Sequence, residues 1–181
     1  MKNWNELLVH QIEELFDAER QLLETLPRMA KCASDPKLKQ ALEGHLAETR
    51  VHAERLEQVA KLLKRKLGTT TSEGMKGLIE DGAGLLEKMG GNPEILDAAV
   101  IGAAQQVEHY EMVAYEAAVE LARQLGFGEA ARLLEQTFAE EIAFSKKLAD
   151  LAGDDERSRS FRNGGRDNGG RINGPRRVRG E

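Results

Sequence analysis

The sequence predicts an all-α fold, a bundle of four long helices with a long crossover connection between the second and the third. Two observations support this class. Ala, Leu, Glu, Lys, Gln and Arg dominate until about residue 153, strand-forming residues are sparse, and aromatic residues make up only 4% of the chain. Apolar residues also recur every three or four positions along four segments, which is the spacing of one helix face. With 181 residues, the chain is long enough to bury a substantial core.

The first two long helices are separated by a short break. We predict the first over about residues 4–33, with Pro27 kinking its last turns because proline lacks a backbone donor. Asp35 and Pro36 then form a typical helix start, an N-cap followed by proline at the first helical position. The second helix is predicted over residues 36–67, where a cluster of Gly, Thr and Ser follows.

The crossover connection contains a short, weak helix. Four glycines lie within residues 73–89, which lowers the helix propensity of this segment and makes it a connection rather than a bundle member. The third and fourth long helices are predicted over residues 93–125 and 129–152, with Gly126 in the turn between them. Short, long and short connections between four long helices are typical of ferritin-like bundles. The sequence therefore predicts one ferritin-like domain over residues 1–153.

The remaining residues, 154–181, differ sharply in composition. They are rich in Arg, Gly, Asn and Ser and carry a net charge of +3, whereas residues 1–153 carry −8. We expect this tail to be disordered because it has too little apolar surface to offset the entropy of the chain. It either solubilises the protein or makes weak, salt-dependent contacts with nucleic acid or another acidic surface. The acidic body of the chain argues against any other contact with nucleic acid.

The sequence carries no sign of export or membrane insertion. Cys32 is the only cysteine, so a disulfide and a cysteine-based zinc or iron–sulfur site are both excluded within one chain. No segment approaches about 18 consecutive apolar residues. The first 14 residues lack the basic start and apolar run of a signal peptide. We therefore expect a soluble, cytoplasmic protein without a membrane partner.

Glutamate interrupts the apolar stripe of every long helix near its middle. A buried carboxylate costs several kcal/mol unless it is protonated, paired or bound to a cation, and Lys and Arg are nearly absent from these stripes. Two histidines share a helix face with one of the glutamates. Oxygen-rich ligation with one or two imidazoles suits iron or manganese better than structural zinc. The candidate metal ligands are Glu19, His45, Glu48, His52, Glu108, Glu111 and Glu141.

Simpler interpretations exist for single residues in this set. A phase error of one position would turn a stripe glutamate into a solvated one, and Glu140 fits the fourth helix nearly as well as Glu141. A histidine taken alone is more typical of a core or surface position than of a ligand. Tyr115, one turn after Glu111, either hydrogen-bonds a ligand or a bound oxygen species, or is a core residue with a hydrated hydroxyl. The coincidence on all four long helices favours the metal site.

Three segments resemble a known family. They are HLAETRVHAERLEQV at residues 45–59, AAQQVEHYEMVAY at 103–115 and LARQLGFGEAARLLEQTFAEE at 121–141. These segments are similar to the YciE/YciF family of bacterial ferritin-like stress proteins, and the likeness extends over roughly residues 3–152. The resemblance implies a dimeric four-helix bundle related to rubrerythrins, induced under osmotic or general stress and often labelled a ferroxidase.

The similarity to rubrerythrin-type sites implies a ligand set and also shows two departures from it. The implied ligands are Glu19, Glu48, Glu108, Glu111 and Glu141. A histidine is expected three residues after Glu48, but that position is Val51 and His52 follows it. The histidine expected on the fourth helix is replaced by Phe144, with Ser145 next to it. One metal position would then be weakly ligated or completed by water.

Three functional hypotheses follow from these residues. The first is an enzyme in which a di-iron centre reacts with O₂ or H₂O₂, with Glu48 and Glu111 as bridges and Tyr115 as a further catalytic residue. The second is a non-catalytic structural or interaction homodimer, induced by stress, whose metal site is vestigial. The third is a manganese-dependent, catalase-like protein that uses the same ligands.

Overall fold

The computed structural model of the chain describes residues 3–88 and 92–153. No strand occurs in these two ranges, so the predicted all-α class is confirmed. The predicted tail at residues 154–181 lies outside the described residues. The helices are α1 (Trp4–Cys32), α2 (Pro36–Leu62), α3 (Glu73–Lys88), α4 (Pro93–Gln124) and α5 (Gly128–Gly153).

The four long helices form the predicted ferritin-like bundle. Short connections join α1 to α2 and α4 to α5, and each of these two pairs packs along its length. The pairs then face each other, with α2 against α5 and α1 against α4. The short helix α3 packs on α4 and touches α1, so it lies outside the bundle, as expected of a crossover connection.

Helix starts and stops follow mostly from local residues. The side chain of Asp35 accepts a hydrogen bond from the backbone N–H of Lys37 at 2.7 Å, which confirms the predicted N-cap of α2. Gly126 has φ of 79°, and this left-handed residue ends α4 as predicted. Helix α1 continues through Pro27 to Cys32.

The predicted end of α2 is wrong by five residues, because α2 ends at Leu62 instead of residue 67. The reason is Lys64, whose φ of 54° lies in the left-handed region. The backbone N–H of Arg65 donates to the carbonyl of Ala60 at 2.9 Å, closing the helix end in the manner usually associated with glycine. A lysine at this position gives no sequence signal for a helix stop.

The long connection from α2 to α3 is fastened to α1 by two acidic side chains. Glu13 accepts hydrogen bonds from the backbone N–H of Gly68 at 2.9 Å and from the hydroxyl of Thr70 at 2.6 Å. Asp17 accepts from the backbone N–H of Ser72 at 2.9 Å. The crossover is therefore held along the bundle by groups that satisfy its exposed backbone.

The apolar core consists of two clusters separated by a polar belt. One cluster includes Leu22, Leu42 and Leu148, and the other includes Leu15 and Leu134. On every long helix the change from one cluster to the other occurs at mid-helix. Six of the seven buried acidic and histidine side chains among the described residues occupy this boundary, the exception being Asp97 near the start of α4. The fold therefore brings the polar residues of four helices to one level of the bundle.

Candidate metal centre

Six acidic and histidine side chains from all four long helices meet in the polar belt. Each is no more than 1% exposed to solvent. Because their helices pack side by side, the interruption of each apolar stripe places these groups opposite one another. The six residues are Glu19 on α1, His45 and His52 on α2, Glu108 and Glu111 on α4, and Glu141 on α5.

Four of these side chains form a first group. His45, Glu108, Glu111 and Glu141 each offer one possible ligand atom, and these atoms lie within 4.8 Å of one another. His45 Nε2 is 3.3 Å from Glu108 Oε1 and 3.6 Å from Glu141 Oε2. One imidazole nitrogen and three carboxylates thus converge on a common point.

A second group lies beside the first. Glu19, His52 and Glu141 also offer ligand atoms within 4.8 Å of one another. His52 Nδ1 is 3.4 Å from Glu19 Oε1 and 2.9 Å from Glu141 Oε1. Glu141 belongs to both groups, with Oε1 towards His52 and Oε2 towards His45. The structure therefore places Glu141 between two adjacent candidate positions.

Eight buried atoms of these six side chains make no hydrogen bond of acceptable geometry, although His52 Nδ1 lies only 2.9 Å from Glu141 Oε1. Such unsatisfied buried polar atoms are rare in folded proteins and each costs about 1–3 kcal/mol. Carboxylate oxygens and imidazole nitrogens are suitable ligands for iron and manganese, so the residues present fit a metal ion. The atoms are Glu19 Oε2, His45 Nε2, His52 Nδ1, Glu108 Oε2, both oxygens of Glu111 and both oxygens of Glu141.

The expectation that Glu48 is buried is wrong, since its side chain is 51% exposed. The buried stripe of α2 passes from His45 through Thr49 to His52, so Glu48 lies one position outside it. Its carboxylate instead lies 3.3 Å from His45 Nδ1, on the side of the ring that faces away from the two groups. The predicted stripe of α2 was therefore right at His45 and His52 and wrong at Glu48, where Thr49 faces the interior instead. Val51 is exposed, and His52 faces the centre in its place.

Glu140 and Glu141 have different environments. Glu141 is fully buried, whereas Glu140 is 38% exposed at the rim of the bundle. Glu140 Oε2 lies 2.9 Å from His52 Nε2, and Arg55 Nη2 donates to Glu140 Oε1 at 2.9 Å. Arg55 Nη1 also bonds Glu140 Oε2 and, at 3.0 Å, donates to the hydroxyl of Thr137. Sequence reasoning missed Arg55, because its partner lies on another helix.

Two aromatic residues contact the groups. Tyr115 is fully buried and its hydroxyl donates to Glu19 Oε1 at 2.6 Å, so it touches a candidate ligand. Phe144 stacks on the ring of His45, with centroids 3.8 Å apart and planes 6° apart. The position where a fourth-helix histidine was expected is thus filled by a ring that packs against an existing histidine. Ser145 is half-buried.

Burial makes ionisation of the carboxylic acids unfavourable. Desolvation raises the pKa of Glu111 well above its ordinary value, and the nearby charges of Glu19 and Glu141 raise it further. Desolvation likewise raises the pKa of Glu19, and that of Glu108 to about 8. Without a cation, these acids therefore retain protons that they would lose in water.

The histidines show the opposite balance. Burial by itself would lower the pKa of His45, but its contacts with Glu108 and Glu48 outweigh burial and raise that pKa to about 10. Burial is outweighed in the same way at His52, where contacts with Glu141 and Glu19 raise the pKa to about 10. Without metal, positively charged imidazoles thus compensate part of the carboxylate charge.

The fold and the site together define a class of protein. It is a ferritin-like four-helix bundle with a buried cluster of glutamate and histidine side chains that can hold a metal ion. None of the helices in the described ranges combines the length and the hydrophobicity that a membrane span requires.

Comparison with known proteins identifies the family. The family model described as "Domain of unknown function (DUF892)" matches residues 3–159. Protein YciF of Escherichia coli (strain K12) is 40% identical over 153 residues, which is 84% of this chain and 92% of that protein. The chain therefore belongs to the YciF family, and the resemblance seen in the sequence is confirmed.

Solved structures agree with this assignment. The structure of the E. coli stress protein YciF matches with a TM-score of 0.80 and 39% identity, covering 84% of this chain and 96% of that one. YcfI, a putative structural protein from Rhodopseudomonas palustris, matches with a TM-score of 0.80 and 34% identity, covering 82% and 94%. A protein from Xanthomonas campestris pv. campestris shares the fold at 21% identity and a TM-score of 0.69, with 90% and 99% covered.

Proposed function

We propose that this chain is a stress-response protein with a carboxylate-bound centre of two metal ions, both iron, and that it oxidises Fe(II) with O₂ or H₂O₂. The observation that carries the proposal is the set of buried ligand atoms without hydrogen-bond partners, which divides into two groups around a shared glutamate. Because the E. coli relative is described as a stress protein, we extend that role to this chain. Manganese is the alternative metal, since the same ligands suit it.

The proposed ligands are the seven candidate metal ligands from the sequence without Glu48. His45, Glu108 and Glu111 would hold one ion and Glu19 and His52 the other. Glu141 would be shared, because its two oxygens face the two histidines. Glu48 was expected as a bridge together with Glu111, but its exposed position makes it a poor ligand. We therefore assign the bridging role to Glu141 and retain Glu111 as a ligand.

The protein residues supply a dry, preformed site. The two apolar clusters above and below the polar belt exclude water from the ligand atoms. The Tyr115 hydroxyl donates to Glu19 Oε1, with the two oxygens 2.6 Å apart, and burial raises its pKa, so it would stay protonated and orient this ligand. Two bound Fe(II) ions would supply the two electrons that, together with two protons, reduce one H₂O₂ to two molecules of water.

Anaerobic loading followed by oxidation tests this function. Protein purified without metal is titrated with Fe(II) under argon and then exposed to O₂ or H₂O₂, and ferric iron is followed by its near-ultraviolet absorption. The wild type should oxidise bound Fe(II) faster than Fe(II) in buffer, and Glu111→Gln should remove most of that acceleration. Glu116→Gln, on an exposed position of the same helix, is the control and should behave like the wild type. Equal rates with and without protein would contradict the proposal.

A structural role is the second candidate. Its support is the compensation of the buried carboxylates by the two histidines, which lets the belt persist without metal. The relative from R. palustris is described as a putative structural protein. Under this alternative, protein purified from cells grown with added iron and manganese would contain neither metal.

Metal analysis of the same preparation also separates iron from manganese. Bound manganese together with rapid conversion of H₂O₂ to O₂ would indicate the catalase-like alternative.

The homodimer and the cytoplasmic location remain predictions, tested by light scattering and by cell fractionation. Salt-dependent binding of the full chain to DNA, lost on removal of residues 154–181, would test the contact predicted for the tail.

A further inference from the structure

The two buried histidines share one arrangement of their ring nitrogens. One nitrogen of each ring faces the ligand groups, namely Nε2 in His45 and Nδ1 in His52. The other nitrogen faces a carboxylate at the rim of the bundle. His45 Nδ1 lies 3.3 Å from Glu48 Oε2, and His52 Nε2 lies 2.9 Å from Glu140 Oε2.

The hydrogen bonding of these nitrogens is complementary. Neither inward nitrogen makes a hydrogen bond of acceptable geometry with the ligand carboxylates that it faces, whereas each outward nitrogen has a carboxylate partner. An ionised carboxylate only accepts hydrogen bonds, so the outward nitrogen must carry the hydrogen. In a neutral imidazole the inward nitrogen then presents a lone pair, which is the form that binds a metal.

We propose that Glu48 and Glu140 are positioning residues that fix the rings of His45 and His52 and direct the inward nitrogens at the metal ions. This inference rests on the proposed metal site, and it assigns Glu48 a role outside the ligand set. Carboxylates that accept the second N–H of a ligating histidine typically contribute 10–100-fold to metal affinity.

The two positioning carboxylates are not equivalent. Glu140 is clamped by the guanidinium of Arg55, which contacts both of its oxygens, and Arg55 is itself bonded to Thr137. Glu48 is half exposed, and within the described residues no Lys or Arg forms an ion pair with it. We therefore expect Glu140 to orient His52 more strongly than Glu48 orients His45.

Zn(II) serves as a diamagnetic probe for this inference. Its affinity is measured by competition with a chelator in the full-length protein and in Glu48→Ala, Glu140→Ala and Arg55→Met. Glu140→Ala should weaken Zn(II) binding by about 10–100-fold. Glu48→Ala should weaken it by less, because the carboxylate of Glu48 is more exposed than that of Glu140. The control Glu57→Ala removes an exposed glutamate from α2 and should leave the affinity unchanged. Glu140→Gln keeps an acceptor and should recover part of the loss.

The ring hydrogens give a second readout that a purely structural role does not change. In the Zn(II)-loaded protein, long-range ¹H–¹⁵N spectra should place the hydrogen of His45 on Nδ1 and that of His52 on Nε2. In Glu140→Ala the Nε2 hydrogen of His52 should exchange with solvent faster, while that of His45 should not change.

Two results would overturn the inference. One is wild-type affinity in both alanine variants. The other is loss of one bound Zn(II) ion per chain in Glu48→Ala, together with a His45 Nδ1 that carries no hydrogen in the Zn(II)-loaded protein. Glu48 would then be a ligand. Failure of the metal site itself is distinguishable, since the wild type would then bind no Zn(II), and the positioning roles would fall with it.

Discussion

The ring of Phe144 lies flat against the imidazole of His45, with centroids 3.8 Å apart. This contact occupies the place on α5 where a histidine ligand was expected. It fixes one face of His45, while Glu48 and Glu108 lie near its two nitrogens. The missing histidine is thus replaced by a residue that restrains the histidine already present.

We predict that Phe144→Leu destabilises the metal-free protein modestly and weakens metal binding at the first group. The leucine keeps most of the buried volume but loses the aromatic contact, at a cost of about 0.5–1.5 kcal/mol. Urea unfolding measures this loss. Phe138→Leu on the same helix is the control: it also changes packing, but it should leave Zn(II) affinity unchanged. Equal Zn(II) affinities for wild type and Phe144→Leu would contradict the orienting role of the ring.

Tyr115→Phe should lower the free energy of unfolding by about 1–3 kcal/mol, because Glu19 loses its buried hydrogen-bond donor. Tyr110→Phe provides the matched comparison, since that hydroxyl bonds the hydroxyl of Ser72 in a partly buried site. We expect a smaller loss there, of about 0.5–1.5 kcal/mol. Denaturant unfolding of both variants tests the difference. A loss no larger for Tyr115→Phe than for Tyr110→Phe would count against a close bond to Glu19.

The stability of the metal-free protein should fall as the pH rises. The pKa of Glu108 is about 8 in the folded protein and ordinarily 4.5, so its contribution to the free energy of unfolding is lost as the pH rises between these values. The pKa of each histidine is about 10 instead of 6.5, so the contribution of the histidines is lost between those two values. In each case the folded state binds more protons than the unfolded state, and the free energy of unfolding therefore decreases with pH. Melting temperatures of chelator-treated protein between about pH 5 and 9 measure this trend.

Metal should reverse that dependence. Ligands must lose their protons to bind a cation, so the affinity for metal rises with pH. The increase in melting temperature caused by Zn(II) should therefore be larger at high pH than at low pH. A metal-free protein that becomes more stable as the pH rises, or a Zn(II) effect that shrinks, would mean that the belt is not protonated as described.

Glu111→Leu should separate the metal-binding account from the structural one. Neither oxygen of Glu111 has a hydrogen-bond partner, and burial raises the pKa of this carboxyl well above its ordinary value. Replacing a buried polar group that has no hydrogen-bond partner with an apolar side chain removes a desolvation cost of about 1–3 kcal/mol. We predict a higher melting temperature for the metal-free variant and a reduced response to Zn(II). An unchanged Zn(II) response would remove Glu111 from the site.

Much of the fold was predictable because the sequence patterns that specify its helices are local. Helical periodicity and the caps at Asp35 and Gly126 determined element order and most boundaries. The end of α2 was not predictable, since the left-handed residue there is Lys64 and not glycine. A lysine pays a steric cost in that conformation, which only the surrounding structure can offset.

The site was predictable in composition but not in detail. A carboxylate or imidazole at mid-helix is visible in the sequence, and six of the seven candidate ligands are buried together. Glu48 was misplaced because adjacent helix positions differ by about 100° of rotation and both fit a wide stripe. The pairing of Arg55 with Glu140 depends on how α2 packs against α5, which no local pattern encodes.

Anomalous X-ray diffraction at the iron edge, from crystals grown and loaded with Fe(II) without oxygen, tests the central claim most directly. The account predicts two peaks in the polar belt. One should be bound through His45 Nε2 and the other through His52 Nδ1, with Glu141 contacting both. Loaded crystals with no peak in the belt, or with iron only at surface carboxylates, would contradict it.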